Sequence, residues 1–345
     1  MPLTHRENFL RNASMQGHEW IPMGVYISGN LWYHMGEELE DLCLRHPVLW
    51  PNFKKGQTPF KEYGKQTPDR IDMWGCKWRY ELGGLDGQVI EHPLASWDAF
   101  DEWKKTAPKP PAFTDEDRKR LAEAKVKGDL TGCGLGPHGF FFMQLYYLRG
   151  FENFMMDVAT EEPRLDELIE IIASYWEAVA APNIAAGVDL VSAADDQGTQ
   201  RAHMLGPKYF RRYLMPTYKR LFLPARKSGA HVYMHTDGYI MDIAEDLLAC
   251  GISMVNPQDL VNGIDNLAKV FKGRVCIQCD IDRQSVLPYG SPADVHELIK
   301  EEVMKLGSPA GGLEFIVGLY HPTPIANVEA LCTALEKYRT YWVGR

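Results

Sequence analysis

The 345-residue chain has no run of 18 or more uninterrupted apolar residues, so nothing in it reads as a membrane-spanning helix. Its first twelve residues are polar and lack the apolar stretch of a secretory signal, and a cytoplasmic location is expected. Positive charge is in deficit. The 37 Lys and Arg stand against 46 Asp and Glu, a net charge of −9, which argues against a general nucleic-acid or anionic-membrane surface. Seven cysteines, odd in number and scattered over 43, 76, 133, 250, 276, 279 and 332, form neither a disulfide framework nor a paired CxxC zinc ribbon. Cys276 and Cys279 make a single CxxC. No GxGxxG follows a strand, and Gly132-Cys133-Gly134-Leu135-Gly136 lacks the Walker lysine, which disfavours nucleotide binding.

What is present is a globular composition, 45% apolar and 24% charged, with a regular pattern from residue 161 onward. Pro163 opens a helical stretch carrying Leu165, Leu168, Ile172, Trp176 and Val179 at helical spacing, and Gly187 closes it. A buried strand is expected at 188–193, running into Asp195-Asp196-Gln197-Gly198. Two helices are expected at 207–215 and 217–228, separated by Pro216. Four strand-then-helix units follow, with strands at 231–235, 252–256, 274–278 and 313–317 and helices at 239–249, 264–271, 292–306 and 325–338. Such alternation implies a parallel sheet and suits half of a (β/α)8 barrel, a doubly wound sheet being the alternative. Before residue 160 the pattern is weaker, with strands at 21–27, 87–91 and 129–133, a charged helix at 115–127 and an expected insertion of loops and short helices over 30–86.

In a parallel barrel, catalytic groups gather where strands end in loops. Strand alternation in His231-Val-Tyr-Met-His235-Thr-Asp237 puts Tyr233, His235 and Asp237 on one face. A His and an Asp at i and i+2 converge on one ion or one substrate. His235, Asp237, Cys279 or Asp280, and His321 are therefore the candidates for a metal site or a proton-transfer group. The competing reading satisfies each of them by local hydrogen bonds. Asp195 or Asp196 orients a substrate or acts in acid–base catalysis, the alternative being helix capping. Asn256, Gln258 and Gln278 are neutral hydrogen-bonding groups at neighbouring strand ends, and Tyr320 lies beyond the last strand. Tyr26, Trp32 and Phe141 belong to an aromatic set that lines either a ligand pocket or the core.

These residues resemble the uroporphyrinogen decarboxylase superfamily and, within it, the branch of cobalamin-dependent methyltransferases of the O-demethylase type. The resemblance runs through Arg6-Glu-Asn-Phe-Leu-Arg11, Leu148-Arg-Gly-Phe-Glu152, Asp195-Asp196-Gln-Gly198, His235-Thr-Asp-Gly238, Asp280-Ile-Asp282, Gly290-Ser-Pro-Ala-Asp-Val295 and Thr323-Pro-Ile-Ala-Asn-Val328. It implies an α/β fold, a single (β/α)8 TIM barrel over 1–345 with its site at the C-terminal face. The arginines that bind porphyrinogen carboxylates in the decarboxylases are missing from Val25-Tyr-Ile-Ser-Gly-Asn-Leu31. In the methyltransferases a His-x-Cys motif and a later cysteine hold zinc, whereas here Asp237 follows His235 and Val317-Gly-Leu-Tyr-His321 replaces the later cysteine. The resemblance then implies a harder zinc site built from His235, Asp237 and Asp280, Cys279 or Glu314.

The function implied is transfer of a methyl group from a small donor, a methoxylated aromatic being the candidate, to the cobalt of a corrinoid. The chain lacks an Asp-x-His-x-x-Gly signature, so the corrinoid belongs to a partner protein. Expected partners are that corrinoid protein and the methyl donor, with a homodimer as an option and no nucleic acid or membrane. In this scheme His235 and Asp237 hold the metal, and Asp195, Asp196 or Asp280 acts on the leaving group. The rivals are a metal-independent decarboxylase or lyase on the same barrel and a non-catalytic small-molecule binding protein.

Overall fold

The structure, a computed structural model, describes residues 2–80, 85, 87–136 and 139–345. Its strands are β1 (Met23–Ile27), β2 (Arg70–Ile71), β3 (Lys77–Arg79), β4 (Gln88–Glu91), β5 (Gly132–Leu135), β6 (Leu190–Ala194), β7 (His231–Thr236), β8 (Met254–Pro257), β9 (Cys276–Cys279) and β10 (Leu313–Leu319). All but β2–β4 form one parallel sheet in the order β1-β10-β9-β8-β7-β6-β5. From β5 to β10 each strand lies beside its predecessor, as short βα connections favour. The last strand then pairs with the first, from Met23 opposite Phe315 to Ile27 opposite Leu319.

This is the cyclic order of a TIM-type barrel, curled into a half-barrel. It differs from the expected (β/α)8 closure: the sheet has seven strands, and no ladder joins β1 to β5 among the described residues. The run at 87–91 does become a strand, but as β4 of a separate antiparallel sheet in the order β2-β3-β4. Its residues explain why. Gln88–Glu91 is exposed at both ends and only half-buried between, whereas strands of a covered parallel sheet are buried on both faces, as every residue of β8 and β9 is. The stretch 30–86 supplies β2, β3 and most of the helices Gly29–Met35 and Glu37–Arg45; its residues 81–84 and 86 lie outside the described set.

The expected helices at 115–127, 264–271, 292–306 and 325–338 coincide with Asp115–Lys127, Ile264–Phe271, Pro292–Leu306 and Ile325–Tyr338. Capping boxes at Thr114 with Asp117 and at Ser291 with Asp294 start two of them. Around Pro216 the structure departs from a break between two helices. Gly206–Tyr209 continues through a π-turn, Phe210–Leu214, into Met215–Lys227. Pro216, which has no N–H to give to the preceding turn, follows directly on the π-turn, at the second residue of the last segment. No helix of the described residues is long and apolar enough to cross a membrane.

At the N-terminal end of the sheet, Asp189 joins three parts of the chain. It accepts from Arg6 Nε at 2.9 Å and Nη2 at 2.6 Å, and from the Thr131 N–H and hydroxyl at 2.9 and 2.8 Å. Burial pushes its pKa up, but the Arg6 and Thr131 hydrogen bonds outweigh burial and hold it below the ordinary carboxylate value. A depressed folded pKa gives stabilisation that is present above the unfolded value of about 3.9 and lost as the pH falls through the folded one. Asp189→Asn is expected to cost about 1–3 kcal/mol at neutral pH, with the gap to the native chain closing below about pH 4 in urea denaturation. A gap that is constant down to pH 2 contradicts this.

Candidate active site

At the C-terminal end of the sheet, β7 and β8 place His235 opposite Asn256. Asn256 Nδ2 donates to the Gln278 carbonyl at 2.7 Å. A backbone carbonyl only accepts, so this bond fixes which way the amide points. Asn256 Oδ1 then faces His235 Nδ1 at 2.6 Å and receives the Tyr233 hydroxyl at 3.2 Å. His235 therefore carries a proton on Nδ1. Its Nε2 faces Asp196 Oδ1 at 3.5 Å and Asp237 Oδ1 at 3.6 Å. One ligand atom from each of the three residues lies within 4.8 Å of the other two.

The two carboxylates are brought together by an interlock of loops. The Asp195 N–H donates to the His235 carbonyl at 3.0 Å, the Gly198 N–H to the Asp237 carbonyl at 3.0 Å, and the Asp237 N–H to Asp196 Oδ1 at 2.9 Å. Gly238 has φ +82°, and a Cβ built on it would lie 2.1 Å from the Gly198 carbonyl oxygen. Only glycine permits both that conformation and that approach. The Asp195–Gly198 and His235–Gly238 motifs are thus two halves of one construction.

Arg283 is a member of the site that the sequence reading missed. Its Nη2 donates to both oxygens of Asp237 at 2.8 Å, its Nη1 lies 3.3 Å from Asp280 Oδ2, and its guanidinium is 5.6 Å from the centre of the Tyr320 ring. Asp280 also accepts from the Gly318 N–H at 3.2 Å. Burial pushes the Asp280 pKa up, against the opposing pull of Arg283 and Gly318. The available signal was one basic residue directly after the acidic run Asp280-Ile-Asp282 that follows β9.

The other candidates lie elsewhere. Asp195 is fully buried and accepts from the Phe142 and Met143 N–H groups at 2.7 and 2.9 Å and from the Tyr218 hydroxyl at 2.7 Å. It anchors the start of helix Phe142–Arg149. Burial pushes its pKa up to about 7 against those three hydrogen bonds. Cys279 is buried, its thiol held well above the ordinary range by burial and by Glu302 and Asp259, and it is not in the three-residue cluster. His321 is exposed and stacks on His34 with ring centres 3.9 Å apart.

Phe141 is fully buried beside Phe140 and Tyr218, and Trp32 is buried and stacks on Phe53. Tyr26 is exposed, with its ring centre 6.5 Å from that of Tyr320. Gln258, the residue after β8, accepts from the Gly238 N–H at 3.0 Å and braces the interlock. Gln278 offers its backbone carbonyl to Asn256. Glu314, buried on β10, is pushed up to about 8 by burial and hydrogen-bonds Gln278.

The model of the uroporphyrinogen decarboxylase (URO-D) family matches residues 72–338, and the chain belongs to that family. Among solved structures it is similar to a methyltransferase from Methanosarcina mazei, with a TM-score of 0.59 and 17% identity over 96% of this chain and 98% of that one. A B12-independent methionine synthase from Shewanella sp. W3-18-1, in complex with selenomethionine, gives a TM-score of 0.46 and 13% identity over 92% and 97% of the two chains. At these identities the likeness concerns the fold. No curated protein sequence matches the chain significantly.

The contrast between neighbouring acids is testable. Asp195→Ala leaves two backbone donors and the Tyr218 hydroxyl proton without an acceptor in the core, an expected cost of about 3 kcal/mol. Asp196→Ala, at the partly exposed cluster, is expected to cost about 1 kcal/mol or less. Urea denaturation of both variants checks this, and equal costs would contradict the division of roles.

Proposed function

We propose that the protein is a methyltransferase component that moves a methyl group from a small donor, a methoxylated aromatic being the candidate, to the cobalt of a corrinoid carried by a separate protein. Family membership and the fold shared with a solved methyltransferase support this reading. The observation that carries it is His235 Nε2 held between Asp196 and Asp237 by an amide that fixes the opposite ring nitrogen. Three N and O donors of this kind fit zinc with a fourth position for substrate, and an N–H on the far side of the histidine is the usual support for a ligating imidazole. Asp237 fits although Arg283 pairs with it, because an ionised carboxylate has lone pairs for both.

Zinc bound there supplies Lewis acidity toward the oxygen that carries the methyl group. The chain's residues do the rest. Asn256 keeps His235 in one tautomer, and the glycine interlock holds the two carboxylates at fixed separation. Asp237 and Asp280 hold Arg283 from two sides, which places a fixed positive charge beside the cluster. There it stabilises negative charge developing on the oxygen left by the methyl group. The corrinoid partner approaches the C-terminal face, where the half-exposed Tyr320 and exposed Tyr26 stand.

The Arg283–Asp237 pair also favours a second reading, a metal-independent decarboxylase or lyase in which the guanidinium itself binds the substrate's carboxylate. One set of measurements separates the two. Elemental mass spectrometry of natively purified protein is expected to find close to one zinc per chain, lost in His235→Ala. A Co(I) corrinoid with methoxylated aromatic donors is expected to give methyl-cobalt, with His235→Ala reducing the rate at least about 100-fold. No methyl-cobalt from a broad donor panel, in an assay where a known system reacts, overturns the proposal; carbon dioxide release without corrinoid supports the second reading.

A further inference from the structure

A cavity of about 610 Å³ lies between the antiparallel sheet β2-β3-β4 and the start of helix Phe142–Arg149. Its walls are aromatic: Trp74, Trp78, Tyr80, Tyr147 and Trp176. Asp72 holds one wall in place, its carboxylate accepting from the Trp74 and Cys76 N–H groups at 2.9 Å each and from Trp78 Nε1 at 2.8 Å. The Trp78 and Tyr147 rings meet edge to face with centres 4.9 Å apart. At the rim, Ile71 and Met73 are 70% and 54% exposed, an apolar edge on which the Tyr175 hydroxyl reaches Met73 Sδ at 3.9 Å.

Polar groups in this cavity are fewer, and two of them have no partner among the described residues. The Gln144 side-chain amide nitrogen and the Tyr80 hydroxyl are buried with no hydrogen-bond partner among the described residues, in residues only 6% and 8% exposed. A buried donor without an acceptor is costly, and native structures rarely keep one unless a ligand or water completes it. Arg70, exposed at the mouth, lays its guanidinium over the Tyr80 ring at 4.9 Å and has no ion pair among the described residues.

We infer that this cavity binds a planar aromatic carboxylate. The ring lies among the tryptophans, a ring oxygen substituent accepts from Gln144 and Tyr80, and the carboxylate reaches Arg70 at the mouth. Tryptophan and tyrosine walls favour a flat π system, and a lone guanidinium selects a carboxylate. The cavity adjoins the His235 cluster through Met143, which lines it and whose Sδ accepts from the Asp196 N–H at 3.2 Å. The binding claim is independent of the reaction; naming the bound ring as the methyl donor rests on the methyltransferase reading.

Calorimetric titration with 4-methoxybenzoate and with methoxybenzene, on the native chain and on Arg70→Ala and Gln144→Leu, tests the assignment. The native chain is expected to bind 4-methoxybenzoate at one site. Arg70→Ala is expected to weaken that binding about tenfold, as loss of one partly exposed charge-assisted contact does, and to leave methoxybenzene unaffected. Gln144→Leu should weaken both ligands. No saturable binding to the native chain, or equal affinity in Arg70→Ala and Gln144→Leu, overturns the inference. Binding with the expected variant pattern but no methyl transfer to a corrinoid keeps the cavity assignment and counts against the methyltransferase reading instead.

Discussion

The amide of Asn256 sits where three strand ends meet, and its orientation leaves little choice to its neighbours. Its nitrogen must donate to the Gln278 carbonyl of β9, so its oxygen must face β7 and take the His235 Nδ1 proton. The imidazole is thereby held in one tautomer with Nε2 turned to Asp196 and Asp237. A neutral nitrogen lone pair facing two carboxylate oxygens is a repulsive arrangement. A cation between them, either a proton on Nε2 or a metal ion, removes the repulsion.

Charge counting points the same way. Asp196, Asp237 and Asp280 contribute three negative charges when ionised and Arg283 one positive, which leaves two negative charges in a half-buried volume. Protonating Asp280, which its burial favours, still leaves one. Excess charge of one sign away from water is unfavourable, and a divalent cation neutralises it more fully than a proton does.

Much of this was legible in the sequence because it depends on local pattern. The shared face of Tyr233 and His235 is seen in β7, where Val232 and Met234 are buried and Tyr233 and His235 are half-buried, and Asp237 follows one residue past the strand end. The helices from 264 onward were marked by caps, prolines and apolar spacing. The separate roles of Asp195 and Asp196 were not legible, since neighbouring residues in extended chain point opposite ways and the deciding partners, Tyr218 and Asp237, are distant in sequence. Arg283 was hidden for the same reason. The number of strands was misjudged because a short alternating run carries no mark of which sheet it joins; β4 looks like a strand, and only its half-exposed neighbours place it outside the parallel sheet.

The central claim, that His235 is held with its proton on Nδ1 so that Nε2 faces a cation, is tested most directly by nitrogen NMR. Protein labelled with ¹⁵N in its 11 histidines allows the ring signals of His235 to be assigned by comparison with His235→Gln and followed during zinc titration. The expected spectrum has a protonated Nδ1 throughout and an Nε2 signal that shifts on stoichiometric zinc addition, while Asn256→Ala loses the fixed tautomer. An Nε2–H tautomer in the native chain, or ring signals unmoved by zinc, would contradict the claim.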